Sequence, residues 1–169
     1  TEGNFYFMEV NARLQVEHPV TEFLTGIDIV KSQLRIASGE KLNLDQEEIQ
    51  FQGHSIEARV YAEDPVSFAP SPGIIQEVRF PEMDGKYLRI DHAIEKDGNV
   101  PPFYDPLLAK VISWGSNRME AIARLKKALE EFCIEGIQTT IPTNLMILNS
   151  PKYIRGEIHT GFIGDMYSQ

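Results

Sequence analysis

A single cysteine, Cys133, leaves no partner for an internal disulfide in this 169-residue chain and suits a reducing compartment. Cationic residues are also in deficit: 16 Lys and Arg stand against 25 Asp and Glu, a formal charge of −9. That argues against nucleic acid as a partner, because phosphate backbones are held by clustered Lys and Arg. No apolar run reaches membrane length, no signal-peptide pattern is seen and no internal repeat occurs, so the expectation is a cytoplasmic protein with no membrane partner. His54, His92 and His159 fall at no metal-ligand spacing, and His18, whose neighbour Pro19 suggests a turn, reads as structural. There is no initiator Met, and Thr1-Glu2-Gly3-Asn4 looks like a hairpin turn, so the chain is expected to be a fragment of a longer protein.

What is present starts at Glu9. After the strand-like aromatic run Phe5-Tyr6-Phe7, residues 9–22 read EVNARLQVEHPVTE. In an extended chain Glu9, Asn11, Arg13, Gln15 and Glu17 fall on one face and Val10, Ala12, Leu14 and Val16 on the other. The polar row would span roughly 25 Å. Glu9 and Asn11 offer two oxygen ligands suited to Mg²⁺ or Mn²⁺. Arg13 presents a planar fork for an oxyanion such as a carboxylate or bicarbonate. Gln15 can add a neutral hydrogen bond, and Glu17 can accept a proton. The simpler alternative is a half-exposed edge strand with a self-neutralising row of charges.

Further along, Thr25 and Asp28 read as a capping box for a helix to about Ala37, stopped at Gly39. Residues 40–52 form a connection. A second alternating strand covers His54 to Ala62, with Ile56, Ala58, Val60 and Ala62 on its apolar face. Strands are predicted at Ile74–Phe80, Tyr87–Ile90 and Leu107–Trp114, with a turn at Asp97-Gly98. Pro101-Pro102 stiffen a loop that Tyr104 and Asp105 anchor. Asn117 and Glu120 open a helix whose Ile122, Leu125, Leu129 and Phe132 share a face, with Cys133 packed at its end, and another helix follows near Thr143–Leu148. The fold class is α+β, with a mostly antiparallel β unit covered by helices. Arg59 stands on the polar face of the second alternating strand; it is either an ion-pair partner of Glu57, Glu63 or Asp64, or a binding cation. Arg89 reads as an exposed charge paired with Asp91. Lys110 is solvated or paired.

The string from Glu9 to Glu22 resembles the signature of biotin carboxylase, the ATP-grasp component of biotin-dependent carboxylases. The likeness continues through GHSIEARVYAEDP at 53–65, PSPG at 70–73, VPPFYDP at 100–106 and TGFI at 160–163, and ordered motifs at consistent spacing are far more specific than one short pattern. The resemblance implies an ATP-grasp end over residues 1–39 and a biotin carboxylase C-terminal domain over 40–169. It implies ATP, Mg²⁺ or Mn²⁺, bicarbonate and carrier-bound biotin as ligands, and a biotin carboxyl carrier protein, a carboxyltransferase component and a second copy of the enzyme as partners. By the same resemblance Glu17 deprotonates bicarbonate, Arg13, Gln15 and the Val16 backbone hold it, Glu9 and Asn11 bind the metal, Arg59 meets the ureido oxygen of biotin, and Arg89, as the alternative to its pairing with Asp91, lies on a strand of the dimer interface. The isolated fragment is expected to be inactive. Two alternatives are a non-catalytic dimerisation or carrier-docking module and an ATP-grasp ligase of carbamoyl-phosphate synthetase type, which shares the Glu-x-Asn-x-Arg start.

Overall fold

The computed structural model describes residues 4–168, so most of the expected Thr1–Asn4 turn lies outside them. Residues 4–14 contain no strand. The expected two-faced strand is corrected here: Phe5 is 96% exposed and Val10 76%, so neither face is packed. Alternation sets which side chains share a face, but a strand also needs a neighbour for its N–H and C=O groups. Among the described residues none pairs with this segment.

The turn expected at His18-Pro19 is instead the start of helix α1 (His18–Thr25). Proline is at home in a first turn, where its missing N–H would have had no helical partner. Thr25 does not cap the next helix: its hydroxyl donates back to Thr21 O at 2.8 Å. Gly26, with φ 73°, closes α1, and Asp28 caps α2 (Ile29–Ala37) by accepting from Lys31 N at 2.7 Å. A short 3-10 turn at Gln46–Glu48 leads to β1 (His54–Tyr61). The single strand expected over 74–80 is two, β2 (Gly73–Ile74) and β3 (Glu77–Arg79), because each finds a different partner. Next come β4 (Leu88–His92), β5 (Asn99–Val100) and β6 (Leu107–Gly115). The chain finishes with α3 (Arg118–Glu131), β7 (Cys133–Glu135), α4 (Ile141–Asn149), α5 (Pro151–Arg155) and α6 (Phe162–Tyr167). Cys133 is therefore a half-buried strand residue and not helix packing, because the chain leaves helical geometry at Phe132, ψ 112°. Tyr104 is 80% exposed and anchors nothing, whereas Asp105 accepts from Leu107 N at the start of β6.

The architecture is α+β. An antiparallel sheet of order β1-β6-β4 carries the core, and the pairs β2-β5 and β3-β7 are antiparallel too. Ile56, Ala58 and Val60 of β1, Ala109 and Val111 of β6 and Ile90 of β4 face α3, which buries Ala121, Ile122, Leu125, Ala128 and Leu129 against them. The side-chain period of two then turns Glu57, Arg59, Lys110, Ile112, Arg89 and Asp91 to the opposite face. There α1 lies against β1 and β6. The open edge of β1 is covered by α4 and its cap: Thr140 Oγ1 accepts from Tyr61 N at 3.0 Å, and Asn144 Nδ2 donates to Arg59 O at 2.8 Å.

Candidate functional site

The α1 face of the sheet is an ordered charge lattice. Cross-strand register puts Arg59, Lys110 and Asp91 in one row and Glu57, Ile112 and Arg89 in the next. Such neighbours on one face stand close enough to interact directly. From the other side come Glu17, just before α1, and Glu22 within it. Arg59 Nη2 meets Glu17 Oε1 at 2.5 Å, and Arg59 Nη1 donates to the Tyr61 hydroxyl at 3.2 Å. Lys110 Nζ donates to Val16 O at 2.9 Å and lies 3.3 Å from Asp91 Oδ2. Arg89 chelates Asp91 through Nε and Nη2 at 2.6 and 2.8 Å and reaches Glu22 Oε2 through Nη1 at 2.7 Å.

Glu57 is the exception. Its side chain is 4% exposed and the nearest cationic nitrogen, Arg59 Nε, is 3.9 Å away. Neither carboxylate oxygen has a hydrogen-bond partner. A buried charge without donors is disfavoured. Burial accordingly pushes the Glu57 carboxyl up to about 7, against the opposing pull of Lys110 and Arg59. Asp91 goes the other way: burial would raise it, but the Arg89 hydrogen bonds and the Arg89 and Lys110 charges hold it below the usual carboxylate range.

Of the residues singled out from the sequence, Val16, Glu17 and Arg59 are brought together. Arg13 and Gln15 are exposed beside them, with Arg13 Nη1 donating to Leu14 O at 3.2 Å. The backbone between them and α1 is held at successive carbonyls: His18 engages Gln15 O, Lys110 engages Val16 O and Val20 N donates to Glu17 O. Glu9 and Asn11 are exposed on the extended segment. Their donor set fits a shared Mg²⁺ or Mn²⁺, a carboxylate and an amide oxygen two residues apart, because such ions take few protein ligands and complete their shell with phosphate and water. Among the described residues no group of three or more His, Cys, Asp or Glu could hold a metal ion.

Arg89 uses all three guanidinium nitrogens within the chain, which favours its ion-pair reading, and Lys110 is paired as expected. The structure adds Glu57, Glu22 and Asp91 to the site and gives Lys110 a place at its centre. A lone Lys inside the apolar run Leu107–Trp114 is a legible sign of a buried partner. Glu22 carries no such sign, because α1 stands where a turn is expected.

The family described as biotin carboxylase C-terminal domain matches residues 57–165, and the ATP binding domain of the carbamoyl-phosphate synthase L chain matches residues 1–45. The chain is 52% identical over 162 residues to a biotin carboxylase of Halalkalibacterium halodurans, covering 96% of this chain and 35% of that protein. It is 49% identical over 163 residues to biotin carboxylase 1 of Bacillus subtilis, covering 96% and 36%. The biotin carboxylase domain dimer of Hydrogenobacter thermophilus 2-oxoglutarate carboxylase, solved with MgADP, ADP and bicarbonate, superposes with a TM-score of 0.93 at 45% identity, covering 96% of this chain and 36% of that one. The chain thus spans about a third of the length of these relatives. Among the described residues no helix is long and apolar enough to cross a membrane.

Proposed function

The chain belongs to the biotin carboxylase C-terminal domain family, and from that premise we propose that it works within a longer, cytoplasmic biotin carboxylase that uses ATP and bicarbonate to carboxylate biotin on a carrier protein. Residues 1–39 would close an ATP-grasp domain and residues 40–169 would form the C-terminal domain; the matches over residues 1–45 and 57–165 support two such units in that order. The carrier, a carboxyltransferase component and a second copy of the enzyme are its proposed partners.

The observation that carries this reading is the 2.5 Å contact between Glu17 and Arg59, two residues 42 positions apart. It sets the proposed base of one half-reaction against the proposed cation of the other. Arg13, Gln15 and the Val16 N–H hold bicarbonate in place, and Glu17 takes its proton. Bicarbonate then displaces ADP from the γ-phosphoryl group of ATP to give carboxyphosphate, and the carboxyl group passes to N1′ of biotin as phosphate leaves and takes up the N1′ proton. Glu9 and Asn11 would hold the divalent cation, which when bound offsets phosphate charge. While Glu17 is ionised it engages Arg59. Once Glu17 is protonated that pairing weakens, and the guanidinium is free to face the ureido oxygen, where negative charge develops.

The test is Arg59→Gln in the full-length enzyme. Biotin carboxylation is expected to fall much more than biotin-independent, bicarbonate-dependent ATP hydrolysis, whereas Glu9→Gln lowers both and raises the metal concentration required. A parallel loss of both activities for Arg59→Gln, with a large drop in Tm, would make Arg59 a structural ion pair and refute the assignment.

A further inference from the structure

Lys110 is the least exposed charge in its row: its side chain is 12% accessible, against 34% for Arg59 and 30% for Asp91. It stands on the central strand, between Leu108 and Ile112, which are 5% and 0% exposed. A buried ammonium is costly unless paired and hydrogen-bonded, and an apolar residue of similar volume is often as stable or more so. Stability alone therefore does not account for a lysine here. Its geometry does. The bond from Nζ to Val16 O spans 94 residues. Among the described residues it is the one hydrogen bond from the sheet to the backbone of residues 9–17.

We infer that Lys110 is a positioning residue of the anion pocket, fixing the peptide between Val16 and Glu17 and tying it through Asp91 to Arg89. That peptide lies between the two groups assigned to bicarbonate, the Val16 N–H and the Glu17 carboxylate. Holding its carbonyl on the sheet sets the direction in which both leave the backbone. Asp91 completes the device. Arg89 grips it bidentately, so the carboxylate that steadies Lys110 is itself rigid, and the third contact of Arg89, to Glu22, holds α1 in register with the same sheet. The inference rests on the reading of Val16 and Glu17 given above.

The experiment is Lys110→Met in the full-length enzyme, which keeps most of the side-chain length and removes the donor. The KM for bicarbonate is expected to rise about 10- to 100-fold, the range a lost charge-assisted hydrogen bond commands, with the KM for ATP nearly unchanged and Tm unchanged or raised. Lys110→Arg, which keeps a cationic donor, recovers part of the loss. Equal rises in both KM values, or a fall in kcat together with Tm and no selective effect on bicarbonate, would overturn the inference. If Lys110→Met yields no folded enzyme, Asp91→Asn is read in the same assay. A smaller rise confined to bicarbonate supports the role, and no selective rise refutes it. Arg13→Met is measured alongside. If it too leaves the bicarbonate KM unaltered, the pocket assignment is what fails; if it raises that KM while Lys110→Met does not, the positioning role fails alone.

Discussion

Glu57→Gln isolates a single buried titration. The carboxyl sits on β1 with both oxygens inaccessible and without donors, flanked by the cations Arg59 and Lys110 and by the acids Glu17 and Asp91. Its folded-state value of about 7 lies above the ordinary 4.5, so the fold favours the protonated form. The contribution to stability is therefore fully present below about 4.5 and is lost as pH rises through about 7. The gap between the two values corresponds to at most about 3 kcal/mol. Gln resembles the protonated carboxyl at every pH, so the variant does not lose this contribution. Urea unfolding of both chains from about pH 5 to about pH 8 gives the stability difference at each pH, and titrations common to both cancel. The difference is expected to move in favour of Gln across that interval, most steeply near about pH 6, between the two values, and to level off above neutrality. A difference curve that stays flat would mean that Glu57 is ordinarily ionised in the fold, and that the charge lattice compensates it far better than its geometry indicates.

Glu17→Gln in the full-length enzyme keeps size and hydrogen bonding but removes the base, so biotin carboxylation is expected to fall by about 10²–10⁴. Arg13→Lys keeps the charge but loses the planar fork and should lower the rate as well; wild-type rates for both variants would make the polar row structural. The 169-residue chain alone, spanning about a third of its relatives' length, is expected to release no phosphate above background from ATP with Mg²⁺, bicarbonate and free biotin. Clear turnover by the purified chain refutes that expectation.

The elements best read from the sequence are those whose pattern and pairing agree. Ile56, Ala58, Val60 and Ala62 alternate and are 9%, 7%, 0% and 1% exposed, because β1 has β6 beside it and α3 above it. Ile122, Leu125, Leu129 and Phe132 are buried as their helical spacing implies, and Asn117 accepts from Glu120 N as its cap. The reading fails where local pattern and tertiary context diverge. Residues 9–17 alternate as cleanly as β1, yet no strand among the described residues pairs with them. Pro19 is equally compatible with a turn and with a first helical turn, and only packing on the sheet decides. The split of residues 74–80 reflects two separate partners far along the chain. Within the site, Arg59 and Glu17 are legible through the resemblance. The burial of Glu57 and the reach of Lys110 to Val16 depend on where α1 lands, which periodicity does not encode.

The two sides of the site belong to regions of different local stability. Arg59 and Lys110 project from the paired ladder of β1 and β6, whose amides should open only with the core. The groups proposed to handle bicarbonate and metal lie on residues 9–17, secured chiefly by side chains reaching across to them. Local opening costs least where backbone pairing is sparse. In the 169-residue chain by itself, residues 9–17 can therefore lift away while the sheet stays whole, dismantling the pocket without unfolding the domain. Hydrogen exchange would divide the site into a slow half and a fast half, and the time that pocket spends assembled would be set by a handful of side-chain bonds rather than by the stability of the fold.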